Sequence, residues 1–158
     1  MLELEHFLPY RLSVLSNLVS QGIAQTYQER FGLSVTEWRV VALIGRFPGL
    51  SASEVAQRSA IDKVAVSRAV NNLREQDRIT RKASPDDGRT RHLFLSEEGD
   101  RIYQQIVPAA LAYEQALLSA LDSKELNQLE HLLEQLQARA ANLIEQENSD
   151  EGTGAISA

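Results

Sequence analysis

The residues from Lys63 to Gln76 read KVAVSRAVNNLREQ. Val66, Val70 and Leu73, with Ala69 beside them, fall at helical spacing and call for a core. At about 100° per residue, the opposite face carries Val64, Ser67, Arg68, Asn71 and Glu75. A guanidinium, an amide and a hydroxyl on one helix face can read base edges. Arg pairs with guanine and Asn with adenine through two hydrogen bonds in the major groove, and Val64 suits a thymine methyl. Lys63, at the helix start, suits a phosphate. The plain alternative is a solvated helix face. Further on, SPDDGRTRHLFLS (residues 84–96) places Asp87, Arg89 and Arg91 at the tip of what reads as a turn. An arginine there can enter a narrow minor groove, where the negative potential is enhanced. Asp87, two residues before Arg89, can orient its guanidinium. The alternative is an exposed ion pair worth about 0–1 kcal/mol.

Those side chains need elements to hold them. Leu8, Leu12, Leu15, Val19 and Ile23 recur at helical spacing, which predicts an amphipathic helix from about Pro9 to Arg30, stopped at Gly32. Ser34 and Glu37, Ser51 and Glu54, and Asp122 and Glu125 each have the spacing of a capping box. They predict a helix through Trp38 and Leu43, a short one ending near Arg58 or Ser59, and a long C-terminal one. Asp62 caps the helix that begins at Lys63. ITRKA (79–83) and HLFL (92–95), around Pro85 and the Asp87-Gly88 pair, predict a β-hairpin. Ser96 caps the next helix, inside which Pro108 predicts a kink or a break. In the last helix Leu126, Leu129, Leu133, Leu136, Ala140 and Leu143 form an a/d seam over nearly three heptads. The tail NSDEGTGAISA reads as disordered.

Charge is unevenly distributed. The 158-residue chain carries 16 basic and 22 acidic residues, net −6. From Arg58 to Arg91 there are nine basic and five acidic residues, net +4, which leaves −10 for the remainder. A basic middle between acidic ends points to a polyanionic partner. The absence of cysteine excludes disulfides and thiolate chemistry. His6, His92 and His131 have no metal-binding spacing. Neither a phosphate-cradling glycine loop nor a nucleophile elbow occurs, so no enzyme, metal or cofactor is expected. No apolar run approaches a membrane span, and the acidic start MLELEHFLPYRL is unlike a signal peptide. The expected location is the cytoplasm.

A short helix, a second helix and a β-hairpin, in that order, make a winged helix-turn-helix. LSASEVAQRSAIDKVAVSRAVNNLREQDRITRKASPDDGRTRHLFLSEEG (50–99) resembles the core of the MarR family of bacterial transcription regulators, and the similarity extends from about Leu8 to Ile144. The resemblance implies a mainly α fold: a three-helix core plus a β-hairpin wing, between long N- and C-terminal dimerisation helices. The segments are residues 8–32, 33–99 and 100–147, with 148–158 as a tail. It implies an obligate homodimer on double-stranded, pseudo-palindromic operator DNA. It assigns recognition to Lys63, Ser67, Arg68 and Asn71, and the wing contact to Asp87 and Arg89. It further implies a small, frequently aromatic anionic effector, for which Tyr10, Arg11, Trp38 and Arg39 offer apolar walls and cationic anchors. The chain departs from the family pattern at Ala65, usually Ser or Thr, and at Asp77-Arg78, usually Gly-Leu or similar. Two other readings fit the residues: a protein-interaction module built on the leucine seam, and a nonspecific architectural DNA-binding protein.

Overall fold

The computed structural model describes residues 2–86 and 88–153, the side chains of 149–153 excepted. After a 3₁₀ turn at Leu4–His6 come helices α1 (Leu8–Phe31), α2 (Val35–Arg46), α3 (Ala52–Ser59) and α4 (Lys63–Glu75). Strands β1 (Ile79–Ala83) and β2 (Arg91–Leu95) follow, then α5 (Glu97–Leu118) and α6 (Ser123–Thr153). This is the expected winged helix-turn-helix between long helices. The chain divides into two compact units, with the boundary after Tyr113.

The helix starts lie where the capping residues predict them. Ser34 and Glu37, and Ser51 and Glu54, form reciprocal boxes that satisfy otherwise unpaired backbone N–H groups. Asp122 and Glu125 do the same ahead of α6. At Ser96 the hydroxyl accepts from Gly99 N at 3.0 Å. Gly32, at φ 62, ends α1 in the left-handed conformation expected of a glycine cap. Pro108 does not break α5, which runs unbroken from Glu97 to Leu118. Proline removes one hydrogen bond, and the buried Ile102 and Ile106 just before it hold that turn against the core. α6 continues to Thr153, beyond the Glu147 boundary read from the sequence, while residues 154–158 of the expected tail lie outside the described residues.

One core serves the first unit. Val40, Val41 and Ile44 of α2, Val55 of α3, Val66, Val70 and Leu73 of α4, Leu93 of β2 and Ile102 and Ile106 of α5 meet there. The hairpin joins this core at its base. Leu93 N donates to Leu50 O at 2.9 Å and Gly49 N to Leu93 O at 2.8 Å, so β2 is pinned to the loop between α2 and α3. By contrast, α1 buries only Ala24 and Tyr27, and its stripe at Leu8, Leu12 and Leu15 is exposed in the single chain. The α6 seam is equally open, with Leu133 39% and Leu143 45% exposed.

The Asp77-Arg78 junction has a definite conformation. Arg78 N donates to Leu73 O at 2.8 Å and Asp77 N to Arg74 O at 3.0 Å, the paired bonds of a Schellman motif. Asp77 takes the left-handed position, at φ 53, that glycine usually fills. Arg78 Nη2 donates to Phe31 O at 2.5 Å, setting a cation at the C-terminus of α1 where the helix dipole favours it. The start of α5 closes on the same corner. Ser96 Oγ donates to Asp77 O at 2.5 Å and Ser96 N to Arg78 O at 3.0 Å. Gly99 passes so near that a Cβ would stand 1.9 Å from Arg78 O. Gly99→Ala is therefore expected to cost about 2 kcal/mol or more through overpacking against backbone. Urea unfolding measures it, and an unchanged midpoint would show that this corner yields freely.

Candidate nucleic-acid interface

α4 begins at an ordered cap. The Asp62 carboxylate accepts from Val64 N at 2.9 Å and from Ala65 N at 3.1 Å. Its inward face is fixed by Val66, Ala69, Val70 and Leu73, all buried. The amide of Asn72 donates to Glu37 Oε1 at 3.3 Å, which ties α4 to the capping box of α2. Glu37 is only 6% exposed and also accepts from Ser34 N, so one carboxylate serves both helices.

The outward face is the one the helical spacing predicts. Lys63, Val64, Ser67 and Arg68 are exposed, Val64 by 58%. An apolar side chain so open beside a lysine and an arginine is available for contact with a flat, partly apolar surface such as a base edge. Asn71 differs from these four. It is half-buried, and its Oδ1 accepts from Arg81 Nη2 of β1 at 3.0 Å.

The hairpin register pairs Ile79 with Leu95, Arg81 with Leu93 and Ala83 with Arg91. With side chains alternating across a strand, Arg81 and Arg91 share the sheet face of Ile79 and Leu93. At the base this face enters the core, and toward the tip it becomes cationic. Arg74 and Arg91 act on Arg81: after desolvation, their like charges are the further causes that lower its affinity for its proton. On the other face Lys82 Nζ lies 4.8 Å from the Phe94 ring centroid, and His92 Nδ1 is 2.7 Å from Gly49 O. Arg58 of α3 is placed over Phe47, 4.7 Å from its centroid. Ser84 N donates to Thr90 O at 2.9 Å, continuing the ladder one step beyond the strands. Arg89 and Arg91 are exposed at the far end, and Asp87 lies outside the described residues.

Helix face and hairpin thus bring Lys63, Val64, Ser67 and Arg68 together on one element and Arg91 on a second, joined through Asn71 and Arg81. In the sequence Arg81 is one of nine basic residues between Arg58 and Arg91. Its contact with Asn71 spans ten positions and two element types, so no periodicity signals it.

The other predicted cluster is only partly assembled. Trp38 and Arg39 line a crevice of about 390 Å³ together with Leu12, Leu15, Val19, Ile23 and Tyr27. Tyr10 and Arg11 do not line it. Trp38 stacks on Tyr27 with centroids 5.7 Å apart and lies 6.3 Å from the Tyr103 ring. Burial raises the Tyr27 phenol pKa, and the nearby Arg39 charge partly opposes that. Arg39 Nη2 donates to Ser20 Oγ at 3.2 Å. Among the described residues no group of His, Asp and Glu side chains could hold a metal ion, and no helix is long and apolar enough to cross a membrane.

A model of the MarR family matches residues 31–90, from the end of α1 to the tip of the hairpin. The chain is 29% identical over 126 residues to the HTH-type transcriptional repressor MdtR of Bacillus subtilis (strain 168), covering 80% of this chain and 81% of the relative. Its structure matches that of a MarR/EmrR family transcriptional regulator from Acinetobacter sp. ADP1 with a TM-score of 0.82 and 26% identity, over 89% of this chain and 99% of the other. A MarR family regulator from Listeria monocytogenes, solved in complex with a 26mer DNA, matches with a TM-score of 0.80 and 19% identity, over 86% and 90% of the two chains.

The Asp62 cap holds the first turn of the exposed α4 face in place. Asp62→Ala is expected to lower unfolding stability by about 1 kcal/mol, whereas Asp62→Asn, which keeps the acceptor, loses less. Chemical denaturation of the two variants side by side checks this.

Proposed function

We propose that the chain is a DNA-binding transcription regulator of the MarR family and that it works as a homodimeric repressor. Two winged lobes read one two-fold symmetric duplex site, with half-sites about 10 bp apart. The observation that carries this reading is the α4 face. A helix locked to the core by Val66, Val70 and Leu73 presents Lys63, Val64, Ser67 and Arg68 outward, beside a hairpin whose tip is cationic.

Ser67 and Arg68 contact base edges in the major groove, Val64 meets a thymine methyl, and Lys63 holds phosphate. Arg89 and Arg91, carried on the hairpin, enter the minor groove. The leucine stripes of α1 and α6, exposed in the single chain, are the surfaces that a second copy covers. With a DNA duplex as partner, the cytoplasm is the proposed location.

Arg68→Ala is expected to lose about 1–3 kcal/mol of operator binding and to relax the base preference at one position per half-site. Arg89→Ala weakens binding with little change in that preference. Titrations of operator and scrambled duplexes at several salt concentrations separate these effects. A flat salt dependence would exclude phosphate neutralisation as the source of affinity, and favour the rival protein-interaction module.

The crevice beside Trp38 supports an effector site for an aromatic anion, with apolar walls and Arg39 as the cation. Calorimetry with a panel of aromatic carboxylates is expected to show binding that Arg39→Ala weakens. Heats no larger than dilution across the panel would remove the effector from this proposal.

A further inference from the structure

Among the described residues Glu37 is the only charged side chain that is buried. Its two carboxylate oxygens serve different parts of the molecule. Oε2 accepts from Ser34 N at 2.8 Å, where the chain passes from α1 into α2. Oε1 accepts from Asn72 Nδ2 at 3.3 Å, in the last turn of α4. A carboxylate taken out of water needs such partners, because losing one leaves its charge poorly compensated. A second tie lies at the exit of α4, where Arg78 Nη2 donates to Phe31 O at 2.5 Å. Both ties run from the end of α4 to the end of α1 or the joint just after it.

These ties matter because α1 is otherwise thinly attached. It buries only Ala24 and Tyr27, and its stripe at Leu8, Leu12 and Leu15 is exposed. Apolar burial resists separation but has no direction, so a narrow apolar contact lets a helix tilt. Hydrogen bonds weaken steeply when bent. Two of them at the end of α1, each with a charged member, are suited to hold one angle between α1 and α4.

Building on the regulator reading above, we infer that Glu37 is a positioning residue for half-site spacing. In a dimer joined through α1 and α6, the distance between the two α4 helices follows from the angle between α1 and α4 in each copy, and half-site spacing follows from that distance. Glu37 holds the angle by joining Asn72 of α4 to the head of α2, and Arg78 supports it from the end of α1. Neither side chain needs to touch a base. Loss of the Glu37–Asn72 tie therefore loosens the spacing and leaves the bases chosen within each half-site as they were. A merely structural pair differs in its consequence, since its loss would weaken binding at every spacing alike.

The test selects bound duplexes from a library in which two randomised half-sites are separated by spacers differing by single base pairs. It uses the full chain and its Asn72→Ala, Asn72→Asp and combined Asn72→Asp, Glu37→Gln variants. Asn72 is exposed, so its replacement leaves the core intact. Asn72→Asp sets one carboxylate against another. Adding Glu37→Gln supplies an amide of matching size, which keeps its oxygen for Ser34 N and offers its amino group to the new carboxylate. The unaltered chain is expected to favour one spacing about tenfold over its neighbours. Asn72→Ala and Asn72→Asp are expected to reduce that preference to about threefold or less. The combined variant is expected to restore it, with base preferences unchanged throughout. Three outcomes overturn the inference and leave the regulator reading standing: no preferred spacing for the unaltered chain, a spacing profile that both Asn72 variants leave unchanged whether or not affinity falls, or a combined variant as permissive as Asn72→Asp alone. No preferred sequence for the unaltered chain would overturn the regulator reading itself, and this inference with it.

Discussion

At Gly99 and Arg78 two backbone segments pass too closely for a side chain to stand between them. The placement of the hairpin beside α4 depends on this approach. α4 ends at Glu75 and β1 starts at Ile79, so the exit direction of the chain through Asp77 and Arg78 decides where the wing goes. The Schellman bonds set that direction, the left-handed Asp77 permits it, and Ser96 and Gly99 clamp it from the far side of the hairpin. Both ends of the hairpin are therefore held at one corner, and its middle is pinned to Gly49 and Leu50. The strands have little freedom to rotate about their base. The contact of Arg81 with Asn71, nearer the tip, presupposes that fixed base. Arg78 adds a further tie, from this corner to the end of α1.

Charge is organised around the same corner. The net +4 stretch from Arg58 to Arg91 is not a uniform field, because its cations have different local partners. Arg58 and Lys82 lie on aromatic faces, Arg78 meets a backbone carbonyl, and Arg81 meets an amide. Each of these tethers fixes a position without cancelling a charge. The stretch keeps its positive potential while losing side-chain freedom, which reduces the entropy still to be lost when a polyanion arrives. The acidic remainder, at −10, repels the same polyanion and favours approach by this face.

Much of the fold was legible because its signals are local. A capping box acts within four residues, and the boxes at Ser34, Ser51 and Asp122 all formed. The outward face of α4 followed from periodicity alone. What was not legible involves contacts across the chain. Asp77 takes a backbone conformation that its identity does not announce. Gly99 is required by a neighbour 21 positions away in sequence. Arg81 reads as one cation of nine until the hairpin is folded against α4. Periodicity also says that a face needs covering without saying by what: the stripes of α1 and α6 were correctly found, yet the single chain leaves them open. Trp38 and Arg39 do share a crevice, but Tyr10, exposed on α1 two positions before the crevice-lining Leu12, does not join them.

The chain holds a single tryptophan, and its indole is packed between Tyr27 of α1 and Tyr103 of α5. All native indole emission therefore originates where three helices meet, with the Arg39 guanidinium on the next residue. Emission colour and quenching at this site depend on ring stacking and local polarity, both of which change if α1 slides against α2 or if water leaves the crevice. The protein thus carries an intrinsic optical reporter at the joint between its first helix and its winged helix-turn-helix core, with no label to be introduced.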